Sequence, residues 1–287
     1  INNFYFEDDN IYIATNLGIV VYNISKNEIE DTYNPYLNSE INDITINNDT
    51  IYAATNNGIY FANKSSKFLN DFTKWNKKLD LPIHLTNSKI SDIKTFNNNL
   101  FFISQSINYN EDTLYIIKDN TLERFYNKPV NLERIKVVND ELLIVNTSVL
   151  DIVDAELTVK EVIYDYTFGT SPRMTGATYL NDSYWIADKN NGMVKAANTW
   201  NNSQIYSNTP FSDGCYKLDI QYGKILVAGG GLTQNLQSTY SRNGAYVYEE
   251  GLWTNINYNS DVEMNIDSTW DVISTAINPN NTDQMAF

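Results

Sequence analysis

Two stretches of this chain match almost residue for residue, 40 positions apart. Residues 10–22 read NIYIATNLGIVVY and residues 50–62 read TIYAATNNGIYFA. Each runs from an apolar strand through Ala-Thr-Asn-X-Gly into a second strand, with Gly18 and Gly58 at matching places. An Asn-X-Gly turn suits a hairpin because glycine accepts backbone angles that strain other residues. A repeat of this length is one supersecondary unit, and it buries its apolar faces only by stacking on further copies.

Weaker copies continue along the chain. Strands that open at Ile11, Ile51, Leu100, Leu142, Tyr184 and Ile225 are separated by 40, 49, 42, 42 and 41 residues. Each core strand is preceded by an apolar or alternating one, as at residues 41–49, 89–99, 131–141 and 215–224. Residues 72–75 and 122–126 supply outer strands. The 43 asparagines fall mostly in short clusters, and Asn favours turns because it tolerates positive φ and bonds its own backbone. Aromatic residues make up 13% of the chain, which favours strands, and no long stretch follows a helical period. The pattern predicts an all-β fold, a seven-bladed β-propeller of four-stranded antiparallel blades forming a single domain over residues 1–287. Six blades are legible. A seventh starts at Thr269, turns at Pro279-Asn280 and stops at Phe287, so the last blade is expected to be incomplete. An unfinished blade exposes a strand edge, and the chain opens at Ile1 without an initiator Met. Both features predict a fragment of a longer multidomain protein.

The chemistry is sparse. A net charge of −15, from 35 acidic and 20 basic residues, argues against broad binding to nucleic acid or anionic lipid. A single cysteine, Cys215, excludes an internal disulfide, and no apolar run approaches the ~18 residues of a membrane span. The one histidine, His84, cannot complete a zinc site with one Cys, and no G-x-S-x-G elbow accompanies it. It reads as a loop residue beside Pro82. Gly229-Gly230-Gly231 lacks the Gly-Lys-Ser/Thr ending of a phosphate loop and reads as a strand end where backbone passes closely. The acidic turn at residues 7–10 lacks the spaced ligands of a calcium loop. The sequence therefore predicts no catalytic residues, no metal and no cofactor, although carboxylates alone leave a polysaccharide hydrolase or lyase open. The favoured binding element is the sixth-blade insertion in GGGLTQNLQSTYSRNGAY, residues 229–246, because long polar loops on a rigid scaffold carry recognition. Tyr240 offers a stacking face and Arg242 an anion contact, with Arg173 and Lys189 supplied by the previous blade. A solvated hairpin is the alternative for each.

The segments ATNLGIVVYN and AATNNGIYFAN resemble the repeats of the two-component-regulator propeller family of Bacteroidetes surface and sensor proteins. The order in which the first blade, WIADKNNGMVKA, the AGGG–insertion–GAYVYEEGLW unit and INPNN follow one another is similar to the PorZ-like family. These are surface components of the type IX secretion system. The resemblance implies a non-enzymatic, extracytoplasmic protein at the cell surface, on the outer membrane, in an attachment complex with a sortase and its companion proteins. There it would recognise anionic lipopolysaccharide and hand it to the sortase. It implies two propellers and a C-terminal domain, and it supplies no catalytic residues. The −15 charge restricts an anionic ligand to a small basic patch, or else the domain serves protein docking. The alternative is a periplasmic carbohydrate-sensing propeller of a hybrid two-component regulator, which would continue past Phe287 into a membrane span and a kinase.

Overall fold

The computed structural model describes residues 1–36, 40–126, 131–257 and 270–287. Among these, the chain forms six four-stranded antiparallel sheets and one two-stranded ladder. Two compact units hold them, Ile1–Ile205 and Tyr206–Phe287.

The first unit contains five sheets. Sheet one is β1 (Asn3–Glu7), β2 (Asn10–Thr15), β3 (Gly18–Asn23) and β4 (Glu28–Tyr33). Sheet two is β5 (Ile41–Asn47), β6 (Thr50–Thr55), β7 (Gly58–Asn63) and β8 (Asn76–Lys77). A single helical turn, α1 (Ile83–Thr86), leads into sheet three: β9 (Ile90–Phe96), β10 (Asn99–Ser104), β11 (Thr113–Lys118) and β12 (Thr121–Arg124). Sheet four is β13 (Leu132–Val138), β14 (Glu141–Asn146), β15 (Leu150–Val153) and β16 (Val159–Ile163). Sheet five is β17 (Met174–Leu180), β18 (Ser183–Asp188), β19 (Gly192–Asn198) and β20 (Asn201–Ile205). The second unit holds sheet six, β21 (Lys217–Gln221), β22 (Lys224–Ala228), β23 (Ala245–Glu249) and β24 (Leu252–Ile256). Its two-stranded ladder pairs β25 (Ala276–Ile277) with β26 (Met285–Ala286).

Asparagine and aspartate make the turns. Asn97-Asn98, Asp119-Asn120, Asn139-Asp140 and Asn181-Asp182 each place two consecutive residues at positive φ. That is the tight hairpin geometry whose twist matches the flanking strands. Between the turns, period-two alternation sends side chains to opposite neighbours. In β14, which is buried throughout, Leu142 and Ile144 pack with Phe101 and Leu114 of sheet three. Leu143 and Val145 of the same strand pack with Tyr184 and Ile186 of sheet five.

Successive sheets are also joined by repeated polar bonds. Asn2 Nδ2 donates to Asn16 Oδ1 and to the Ile41 carbonyl, both at 2.8 Å. Its counterpart one repeat later, Asn42, donates to Asn56 Oδ1 at 3.0 Å and to the Ile90 carbonyl at 2.7 Å. Inner-strand aspartates accept a backbone N–H from the next inner strand: Ile93 to Asp43 at 2.8 Å and Ile135 to Asp92 at 3.1 Å. In the second unit Ile277 does the same to Asp219 at 2.7 Å.

Two expectations change. Residues 72–75 are a 3₁₀ turn, Phe72–Lys74, rather than an outer strand, which is confined to β8. Asp71 caps that turn by accepting the Thr73 N–H at 2.9 Å, and Trp75 turns inward, its indole N–H bonding the Leu69 carbonyl at 2.9 Å. His84 stands exposed on α1, not in a loop. Thr269, the expected start of a seventh blade, lies outside the described residues; β25 and β26 flank the expected Pro279-Asn280 turn.

Candidate recognition surfaces

The hairpin between β22 and β23 carries the insertion, and its glycines do what close backbone approach requires. Gly230 N–H donates to the Val272 carbonyl at 3.0 Å, and a Cβ there would lie 2.5 Å from Val272 N. The loop is then latched by one carboxylate. Asp271 accepts the Ser238 hydroxyl, the Thr239 hydroxyl at 2.6 Å, and the N–H groups of Tyr240 and Ser241 at 3.0 and 2.9 Å. Burial works against its charge, but these donors hold the carboxyl well below the usual range. Its own N–H returns a bond to the Ser241 carbonyl at 2.8 Å.

This latch brings Trp270 under the loop. The Arg242 guanidinium carbon lies 4.0 Å from the Trp270 ring centroid, and the Tyr240 ring meets Trp270 edge-on at 5.9 Å. Tyr240 is 70% exposed and Trp270 40%, so both rings present surface to solvent. Aromatic faces beside a stacked guanidinium suit a sugar ring that carries an acidic group. The two expected residues of the insertion therefore converge, on an indole that sequence reasoning missed. Trp270 is 28 residues beyond Arg242, and no local pattern ties it to the loop.

Arg173 and Lys189 lie together in the other unit. Asp188, closing β18, accepts the Arg173 N–H at 2.6 Å, the Tyr166 hydroxyl at 3.1 Å, and the N–H groups of Asn190 and Asn191 at 2.9 Å each. Burial opposes its charge, yet this shell of donors keeps it below the ordinary value. Lys189 N–H donates to the Arg173 carbonyl at 2.8 Å, which sets the two residues side by side. The Lys189 ammonium is 4.0 Å from Glu133, a long and solvent-exposed ion pair.

A charged row on the inner strands also escaped the sequence reading. The Lys94 ammonium binds the Asp43 carboxylate and lies 3.1 Å from Asp92 Oδ1, with Arg134 Nε 4.0 Å from Asp92 Oδ2. Both aspartates are buried. Burial pushes Asp43 up, while Lys94 and the Ile135 N–H hold Asp92 down against the same desolvation. The signal was present as Ile-x-Asp-Ile at the start of two successive inner strands, visible once β5 and β9 are aligned on their registers.

Residues 1–76 match the family model of the type IX secretion PorZ N-terminal β-propeller domain. No curated protein matches the sequence. Among solved structures, PorZ of Porphyromonas gingivalis, described as an essential bacterial surface component of the type IX secretion system, aligns with a TM-score of 0.62 at 14% identity. The alignment covers 99% of this chain and 37% of PorZ, so the chain spans little more than a third of that protein's length. The extracellular domain of the putative one component system BT4673 of B. thetaiotaomicron aligns with a TM-score of 0.54 at 13% identity, covering 81% of this chain and 33% of its own. That of the putative hybrid two component system BT4673 gives 0.52 at 16%, with 95% and 34% covered. At these identities the structures show a shared fold. The chain thus resembles the PorZ N-terminal propeller domain in sequence over residues 1–76, and the PorZ structure in fold over nearly its whole length.

Proposed function

We propose that this chain is a non-enzymatic recognition domain of a PorZ-like surface component of the type IX secretion system. The match of residues 1–76 to the PorZ N-terminal propeller carries the reading. On it, residues 1–287 form a single seven-bladed propeller. The domain sits outside the cytoplasm at the outer-membrane surface. It contacts anionic lipopolysaccharide and the sortase to which that glycolipid is delivered. The Tyr240–Arg242–Trp270 platform supports a role for the sixth-sheet insertion in the glycolipid contact, because it pairs sugar-stacking surface with one cation in a chain of net charge −15. Arg173 and Lys189 offer a second basic point, held by the Asp188 turn. No helix among the described residues is long and apolar enough to cross a membrane.

The test is a pull-down from outer-membrane extract with the tagged chain. Recovery of the sortase or of lipopolysaccharide supports the reading. Recovery of neither, together with tight binding to a defined neutral oligosaccharide, overturns it in favour of a carbohydrate sensor.

A further inference from the structure

The inner strands of Ile1–Ile205 carry two rows of side chains that run from sheet to sheet. Asp43, Asp92, Arg134 and Gly176 occupy one row, paired with Ala54, Ile103, Val145 and Ala187 of the second strands. Two positions on, Thr45, Lys94, Lys136 and Thr178 occupy the other, paired with Tyr52, Phe101, Leu143 and Trp185. The order of charges along these rows does not balance. Lys94 lies between both carboxylates, Asp43 and Asp92. Among the described residues Arg134 reaches only Asp92, at 4.0 Å, and that oxygen already accepts the Ile135 N–H. Lys136 has no ion pair or hydrogen bond among the described residues. Glu133, next in sequence to Arg134, is engaged with Thr147 at 3.4 Å and Lys189 at 4.0 Å.

The next inner strand, β17, packs against β13 and could have continued the row with a carboxylate. It supplies Gly176 and Thr178 instead. A Cβ on Gly176 would meet nothing within 4 Å, so this position of the row, on the strand packed against β13, is open. Desolvation, with the Lys94 and Arg134 charges, pushes the Lys136 ammonium below the ordinary lysine value. Lys136 and the Arg134 side chain both reach solvent, so the cations on this face stand open to an anion that would supply the charge the strands do not.

We propose that Arg134 and Lys136, with the open position at Gly176 and the Thr178 hydroxyl, form a site for one oxyanion, the phosphate ester or carboxylate of a sugar. Arg134 offers a planar fork for two oxygens and Lys136 a point charge, the combination that recognises such groups. The site goes beyond the secretion reading and rests on the charge count of the inner strands, so it stands or falls separately from the pull-down.

Calorimetric titration of the chain with glucose 1-phosphate, glucuronic acid and glucose tests it. One or both acids bind, glucose does not, and R134Q/K136Q weakens binding about tenfold or more. Tighter binding of the phosphate identifies a phosphate ester as the natural group, and tighter binding of glucuronic acid identifies a carboxylate. Gly176→Asp is the second variant, because it plants a carboxylate where the anion would sit without meeting a neighbouring atom. It is expected to abolish acid binding while the melting temperature holds or rises. Failure of both acids to bind the parent, or binding by Gly176→Asp equal to the parent, overturns the site.

Discussion

The hairpin corners at β6–β7 and β22–β23 solve one problem with very different loops. At β6–β7 two residues, Asn56 and Asn57, make the turn, and the Thr55 hydroxyl braces it by donating to the Gly58 carbonyl at 2.8 Å and accepting the Asn57 N–H at 3.0 Å. The β2–β3 corner repeats this with Thr15, Leu17 and Gly18. At β22–β23 the same corner expands into the insertion that carries Tyr240 and Arg242. Both corners nonetheless re-enter the sheet through a glycine at positive φ, 93° at Gly58 and 72° at Gly244. A Cβ would fall 2.2 Å from the Thr86 carbonyl oxygen in one case and 2.0 Å from that of Ile256 in the other. The closure is fixed by the approach of neighbouring backbone, and the loop before it is free to grow. Recognition chemistry can therefore be added at a corner without altering the sheet that holds it.

The largest effects belong to the shared closure. Gly58→Ala and Gly244→Ala combine a strained φ with a clash against backbone, and each should cost about 3 kcal/mol or more in chemical denaturation. Gly192, which opens β19, sits at φ 66°, and a Cβ added there would meet nothing within 4 Å. Gly192→Ala should therefore cost only about 1 kcal/mol, from the backbone conformation alone. Equal losses at Gly192 and Gly58 would show that backbone approach contributes nothing and break the comparison.

The next effect separates the two loops. The two-residue corner is braced by its own threonine, whereas the insertion depends on Asp271 in a distant segment. Asp271→Ala should leave global stability within about 1 kcal/mol, because the latch is solvent-accessible and screened. Locally it should speed amide exchange at Tyr240 and Ser241 about tenfold while the Asn57 amide is unchanged. The same contrast has a pH signature. The folded-state pKa of Asp271 is depressed, so the latch is at full strength above the ordinary carboxylate value of about 4 and is lost as pH falls through the depressed value. Exchange at Tyr240 should accelerate relative to Asn57 on acidification, and parallel behaviour would deny the latch its role.

The corners also explain how much of the molecule could be read from its residues. The twin ATNLG and ATNNG segments specify strand, turn and register locally, so blade spacing and β class follow from short-range chemistry. Residues 72–75 were misjudged because their strand-like Phe and Trp are overruled by the Asp71 cap and by burial of Trp75. Tyr240 and Arg242 were legible as polar-loop residues. Trp270 was not, because only the Asp271 latch brings it beneath the loop. The Asp43–Lys94–Asp92 row was hidden for a related reason: Asp43 lies about 50 residues from the other two, and they meet only when inner strands pack side by side.

The smallest effect on stability should be the largest on recognition. Trp270→Ala removes a half-exposed ring whose contacts are a stacked guanidinium and one edge-on tyrosine. Its cost to the fold should be about 0.5–1 kcal/mol, the scale of an exposed cation–π contact. If the insertion binds acidic glycolipid, losing the stacking face should weaken that binding about tenfold in a vesicle or micelle assay, as should Arg242→Gln. Asn57→Ala at the short corner provides the matched control, since it alters a turn of the same sheet position that carries no platform. Weakening by Trp270→Ala and not by Asn57→Ala locates recognition in the expanded corner. Equal binding by all three variants would leave both corners as plain closures and return the insertion to a solvated hairpin.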